Sequence, residues 1–410
     1  MDFDIRAIEA ERWPDFIRAA FVPFGGQATE RDIEDSRIEF EPGRCLAAFD
    51  GDQIVGTSSA LSLRMTVPGG EQVPVAGVTT VGVAPTHRRR GMLRALMRRQ
   101  LDDARGHGDA IAALWASEPA IYQRFGYGMA TRSAMGRSSR ANSAFLRPTV
   151  DPSRVRLLPL DDAMNELAPV YDGVRARTPG MIERNHDWWV YRFRHLDSEH
   201  HREGFGPMFF ALHEGPDGPD AYAVYRVKPH EDEGGIDRGV VQVVEAVTTT
   251  PDSVPAMWGY VFGIDLVETI EFSDRPPDDP LFSIALDIRQ LGIRVIDGMW
   301  VRPLDVPTAL STRRYGVEGT VVFELEDEFC RWNTGRFELA GGPDGAECRP
   351  TRSGPDIAIS APELGAVYLG GTRLRDLARA GRVRELTRGA VKLADAMFAG
   401  DREPWCPHRF

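Results

Sequence analysis

Apolar residues in the first 150 positions recur with two periods, and the change of period predicts the elements. Residues 45–49 and 53–59 read as a hairpin about Asp50-Gly51, a pair that accepts the positive φ of a tight turn. Residues 57–67 continue its second arm, and residues 75–83 form another strand that runs into Ala84-Pro85. From residue 88 to 105 the period lengthens. Met92, Leu93, Leu96, Met97 and Leu101 fall at helical spacing, and Gly106 and Gly108 end the helix. Residues 110–115 are a short apolar run bounded by polar residues, which predicts a buried strand. Strand, strand, helix, strand in that order implies a mixed α/β region holding a parallel βαβ unit.

Residues 142–152 are largely polar and proline-bearing, and mark a boundary. A second alternation follows. Residues 208–214 and 221–228 read as strands around a Gly-Pro-Asp-rich turn, residues 240–248 as a strand and residues 254–262 as a helix. This order repeats that of the first region. Setting residues 247–255 beneath residues 83–91 gives a faint internal repeat, with Asp252, Ser253 and Pro255 where Arg88, Arg89 and Gly91 stand. A second copy so altered has lost whatever the first one binds. After the acidic, proline-rich residues 274–280 the pattern changes again. Short strands at 319–325, 337–339 and 357–359 precede helices at 372–380 and 384–398, an α+β layout. The expected domains are 1–150, 151–297 and 298–410.

Composition narrows the function classes. The chain has 410 residues, too many for one core, with 42% hydrophobic and 27% charged residues, as in a soluble globular protein. No apolar run approaches the roughly 20 residues of a membrane helix. The first residues carry acids and no apolar signal core, so a cytoplasmic protein without membrane association is expected. A net charge of −12 argues against general nucleic-acid binding and favours cationic partners. Cys45, Cys330, Cys348 and Cys406 show no metal or disulfide spacing, the 9 histidines form no metal pattern, and His200-His201 reads as a solvated loop. No metal is expected.

One segment carries chemistry. Residues 83–93, VAPTHRRRGML, are a strand end, a loop and a helix start. A helix start leaves N–H groups unpaired, and these with the helix dipole make an anion site. Arg88 and Arg89 add forked donors suited to phosphate, and Gly91 removes a side chain where a phosphate must approach the backbone. The pattern suits a pyrophosphate. It is not a P-loop, lacking the Lys-Ser/Thr pair, nor a dinucleotide fingerprint, having one of three glycines. The plain alternative is a basic helix start on the surface, but cations there oppose the dipole and ask for a bound anion.

R-x-x-G at a strand-to-helix turn, after Val81, Gly82 and Val83, resembles the acetyl-CoA loop of GNAT-type N-acetyltransferases. Leu93 departs from that pattern, where the family has Gly or Ala. About 30 residues on, residues 120–127, AIYQRFGY, resemble the family's tyrosine segment. Taken with LWASE, AYAVYRV and the late VYLGG, the whole chain is similar to the enhanced intracellular survival (Eis) family. The resemblance implies tandem GNAT folds, the second degenerate, followed by a sterol-carrier-like α+β domain. It further implies acetyl-CoA as co-substrate, an amine-bearing polycationic small molecule such as an aminoglycoside as acceptor, acetylated at several positions, and a homo-hexamer.

The resemblance also assigns roles. Tyr122 becomes the general acid that protonates the departing CoA thiolate, with Tyr127 as runner-up. The general base is the C-terminal carboxylate, here that of Phe410, which is ionised at neutral pH. A base is needed because a lysine-like amine at pH 7 is almost wholly protonated, at a cost of about 4.6 kcal/mol. Val81 and Val83 face CoA through the backbone, Arg88, Arg89 and Gly91 hold the pyrophosphate, and Thr79 and Thr80 line the acetyl group. The resemblance does not supply the acceptor contacts; by their position near these strands Trp13, Phe24, Thr80, Trp115 and Glu118 are the candidates, although such residues are more often core than pocket. Three rivals remain: a lipid- or sterol-binding module built on the C-terminal region, a CoA sensor, and a protein lysine acetyltransferase.

Overall fold

The computed structural model describes residues 3–142, 144–146, 154–197 and 201–410. Much of the polar stretch expected as a boundary, and His200, lie outside the described residues. Three sheets organise the rest. The first runs Asp4–Ala7, Cys45–Asp50, Gln53–Thr66, Gln72–Val83, Ile111–Trp115, Met299–Pro303, Gly128–Met129. The hairpin turns at Asp50 and Gly51 as its sequence demands, Gly51 taking φ 59°. Gln72–Val83 and Ile111–Trp115 are parallel and joined by the helix Met92–Gly106. That helix begins four residues later than the arginine run suggests. Arg88 is extended (φ −65°, ψ 159°), and Arg89 and Gly91 take positive φ (63° and 89°), which an α-helix does not admit. Its face of Leu96, Met97, Leu101 and Ala104 is buried, with Ala76, Val78, Ala112 and Leu114 of the sheet beneath Met97 and Leu101.

The second sheet runs Arg294–Asp297, Arg132–Ser139, Val267–Arg275, Gly239–Thr248, Gly218–Lys228, Phe209–Gly215, Val155–Leu158. Gly239–Thr248 and Val267–Arg275 are parallel with the helix Ser253–Gly263 between them, so the internal repeat is a repeat of fold. The third sheet is Gly345–Pro350, Gly335–Gly342, Gly319–Glu326, Ile357–Ser360, Arg384–Glu385, followed or accompanied by the helices Ala361–Val367, Leu374–Arg379 and Ala390–Phe398. The helix expected from 384 starts at Ala390, because Arg384 and Glu385 pair as a strand and Gly389 (φ 90°) caps the helix.

The expected boundaries need correction. Arg132–Ser139, placed in the first domain, pairs with Val267–Arg275 in the second sheet. Met299–Pro303, placed in the last domain, is a strand of the first sheet, between Ile111–Trp115 and Gly128–Met129. The chain forms two compact units. One holds residues up to Thr131, Gly298–Pro404 and His408–Phe410; the other holds Arg132–Asp297 and Trp405–Pro407. All four cysteines are buried and none is in a disulfide, and no described helix is long and apolar enough to cross a membrane.

Candidate active site

The site grows from the end of Gln72–Val83. This strand pairs with Ile111–Trp115 only at Ala76–Val78, opposite Ala112–Leu114, and then runs on to Val83 without that neighbour. On its other edge the register slips: Ser59 faces Thr79 but Thr57 faces Gly82, which leaves a bulge at Thr80 and Val81. Thr80 takes φ 49° there. The strain is braced from the hairpin: the Thr57 hydroxyl donates to Thr80 O at 2.7 Å, and the Thr80 hydroxyl donates to Ser59 Oγ at 2.8 Å.

Beyond the bulge the strand feeds the loop 84–91 and the helix Met92–Gly106. No side chain caps this helix, and its first turn holds no acid, so its N–H groups stay open. Gly91 is needed for its φ of 89°, since a Cβ there would meet nothing within 4 Å. Arg88 departs from expectation. Its Nε donates to Val83 O at 3.3 Å and its Nη2 to Pro23 O at 3.0 Å, so the side chain braces the loop. Arg89 is exposed and, with Arg94 and Arg124, forms no ion pair among the described residues, although the chain is acidic.

These elements enclose a cavity of about 660 Å³. Val81, Val83, Arg88, Arg89 and Gly91 line one side; Glu118 and Tyr122 line another; Phe24 stands at its edge, 60% exposed. Leu93, the departure from the family pattern, is also on the wall, as are Arg94 and Arg124, which sequence reasoning missed. Tyr122 closes the short helix Pro119–Tyr122 and is buried. Burial, helped by the charge of Glu118, pushes its phenol up to about 12, so at neutral pH the hydroxyl keeps its proton as a donor.

Other expected residues stand elsewhere. Trp13 is fully buried, stacks on Phe16 at 5.5 Å and donates its Nε1 to Ile33 O at 3.3 Å, so it is a core residue that cannot touch a substrate. Tyr127 is fully buried behind Tyr122, the rings edge-on at 6.1 Å, which removes it as the alternative acid. Thr80 serves the bulge and is not on the cavity wall. Trp115 is half-buried and donates its Nε1 to His408 O at 3.1 Å, while Arg409 lies 5.2 Å over its ring. It therefore anchors the tail. The Phe410 ring lies over Gly77, 3.2 Å from where a Cβ would stand, next to the point where the parallel pairing ends.

Residues 4–130 match the acetyltransferase (GNAT) domain family, residues 180–303 match a second such family, and residues 306–407 match the sterol carrier protein domain. The chain is 40% identical to an uncharacterized N-acetyltransferase of Streptomyces avermitilis, over all of both chains. It is 34% identical to the N-acetyltransferase Eis of Mycobacterium tuberculosis, over 86% of this chain and 85% of that one. It superposes on the crystal structure of Eis1 from Mycobacterium abscessus with a TM-score of 0.85 at 33% identity, covering 99% of this chain and 100% of that one. The open helix start, the parted strands and the donor tyrosine fit that kinship, and the chain belongs to the Eis family of GNAT N-acetyltransferases, with tandem GNAT domains and a sterol-carrier-like domain.

Proposed function

We propose that the chain transfers the acetyl group of acetyl-CoA to primary amines of polycationic small molecules such as aminoglycosides, at a single site in the first GNAT domain. The observation that carries this reading is the cavity, which groups an uncapped helix start, the unpaired Arg89 and the protonated Tyr122 around one space. The loop N–H groups and Arg89, Arg94 and Arg124 bind the phosphates of CoA. The thioester then lies along the free edge of Val81 to Val83, beside the bulge.

The neutral amine attacks the thioester carbonyl, and a C–N bond forms as the C–S bond breaks. The thiolate takes the Tyr122 proton, and the proton lost by the nitrogen goes to the carboxylate of Phe410. Excess negative charge on the protein raises the local concentration of a cationic acceptor. Homo-hexamer assembly, carried over from the family, is tested by light scattering of the purified protein.

The lipid-binding alternative meets an obstacle in the third-sheet region. There Arg313 is 1% exposed, its guanidinium 4.5 Å from the Tyr315 and Phe398 rings and donating to the carbonyls of Tyr368 and Phe398. A buried cation is a poor lining for an apolar ligand. The test is release of free thiol from acetyl-CoA in the presence of aminoglycosides, linear polyamines and lysine peptides. Release with the first two and not with peptides is expected. Release with peptides alone replaces the reading with a protein acetyltransferase, and none at all leaves a CoA-binding protein.

A further inference from the structure

Behind Tyr122 lies a buried ion pair that the chemistry above does not use. Arg302, on the strand Met299–Pro303, is fully buried, and its Nη2 donates to Asp327 Oδ2 at 2.7 Å. Asp327 follows the strand Gly319–Glu326 of the third sheet. Its Oδ1 accepts from the Cys330 N–H at 2.7 Å, and Asn333 Nδ2 donates to its Oδ2 at 3.3 Å. This carboxylate thus ties together the loop 327–333. From that loop Phe329 packs edge-on against Phe125 at 5.0 Å, and Arg98 of the CoA-loop helix covers Phe329 at 4.0 Å. Phe329 and Cys330 share one core cluster with Tyr122, Phe125 and Tyr127.

The Arg302 guanidinium sits directly under the turn that carries Tyr122. A Cβ on Gly126 would lie 1.4 Å from Arg302 Nη1, so Gly126 (φ 85°) is required on both counts. The Gly126 N–H donates to Gln123 O at 2.9 Å and the Tyr127 N–H to Tyr122 O at 3.3 Å, closing the turn on Tyr122 itself. Nε and Nη1 of Arg302 and the Tyr127 hydroxyl are buried with no hydrogen-bond partner among the described residues. Buried donors left unpaired cost free energy, and an apolar side chain of similar volume would fill the space without that cost. The charge therefore calls for a reason other than packing.

We propose that the Arg302–Asp327 pair is a positioning device: the loop 327–333 of the sterol-carrier-like region, acting through Arg302, fixes the turn that aims the Tyr122 hydroxyl into the CoA cavity. The inference rests on the reading of Tyr122 as general acid. It makes the C-terminal region necessary for turnover at the N-terminal site. Without the Asp327 charge, the guanidinium has no counter-ion and must shift or draw in water, and the Gly126 turn shifts with it.

The test uses the full chain with Asp327→Asn, Asp327→Glu and the double variant Arg302→Met/Asp327→Leu, each beside Tyr122→Phe. The double variant removes both charges at similar volume, and so reports even where Asp327→Asn does not fold. Asp327→Asn and the double variant should lose about 10- to 100-fold in kcat, as a displaced catalytic group does, while the CoA dissociation constant stays within about threefold. Asp327→Glu should recover part of kcat. A folded double variant with wild-type kcat overturns the proposal, as does a loss that appears equally in CoA binding. If Tyr122→Phe is itself fully active, the acid reading fails first. If Tyr122→Phe is inactive and the double variant active, only the positioning role falls.

Discussion

The two βαβ units of this chain can be laid side by side. In both, the parallel strands pair over a few rows, Ala76 to Val78 in the first and Gly239 to Val243 in the second, and the leading strand then runs on without that neighbour, to Val83 and to Thr248. The first helix start follows the long loop 84–91 and has no side-chain cap. The second follows residues 249–252, where Thr250 and Ser253 satisfy each other: Ser253 N–H donates to Thr250 Oγ1 at 3.1 Å, and Thr250 N–H to Ser253 Oγ at 3.2 Å. Where the first unit is open, the second is filled. Arg275 donates to Ala246 O and stacks at 5.7 Å on Trp258 and 4.9 Å on Trp405, whose Nε1 donates to Asp274 O at 2.5 Å. Neither helix has a side-chain bond from its N-cap residue, so at the helix start the two units differ in loop length and in the Ser253 N–H, which Thr250 takes.

The second unit also neutralises its charge internally. Glu245 is fully buried, bidentate to Arg184 at 2.8 Å, and takes further bonds from Arg192 and from Tyr222 at 2.6 Å. Burial alone would raise its carboxyl, but Arg184 and Arg192 outweigh burial and hold it at about 2. Arg192 in turn donates to Pro407 O at 2.7 Å, so this network holds residues 405–407 of the tail.

Five experiments sharpen or break the contrast between an open and a filled unit, taken from the largest effect down. Tyr122→Phe should lower kcat by about 10²- to 10⁴-fold, the usual worth of a general acid, with CoA binding little changed by calorimetry. Equal rates would show that the open unit lacks the chemistry assigned to it. Glu245→Gln should destabilise the second unit by about 3–5 kcal/mol in denaturant unfolding, since it leaves two buried guanidiniums short of a counter-ion, without altering CoA affinity.

The same carboxyl sets a pH dependence. Its folded value lies below the ordinary 4.5, so its contribution is present above that pH and is lost as pH falls towards 2. Wild-type stability should decline across that window by roughly 3 kcal/mol more than that of Glu245→Gln. A parallel decline in both would remove Glu245 from the explanation. Gly91→Ala forces a left-handed conformation on a residue with a Cβ, which costs about 1–2 kcal/mol, and should weaken CoA binding by about 5- to 30-fold. Arg89→Ala is the mildest, an exposed charge expected to change the CoA dissociation constant by about 3- to 10-fold, less at high salt.

Local features were legible in the sequence, and distant ones were not. The hairpin at Asp50-Gly51, the helical period from Met92 and the strand-to-helix turn at Gly91 are each written within a dozen residues. Nothing near Met299 says that Met299–Pro303 inserts between two strands encoded before residue 130, because sheet partners that far apart leave no shared pattern. The bulge at Thr80 is likewise silent, since it arises from the register against Thr57 and Ser59. Arg88 shows how a motif can place a residue without fixing what its donors do. It lines the cavity, but its donors go to Val83 and Pro23. Trp13 is not a substrate contact: position near the site strands says nothing of burial, and its ring lies wholly in the core. Arg94 and Arg124 carried a signal that could have been used, one helical turn and one tyrosine segment away from the motif.

Titration of CoA into the full chain by calorimetry bears most directly on the claim that one unit is open and its twin is filled. One equivalent per chain is expected for the native sequence, and no binding for Arg89→Ser/Gly91→Pro, which places the second unit's residues in the first. Two equivalents per chain, or binding that survives in the double variant, would contradict it.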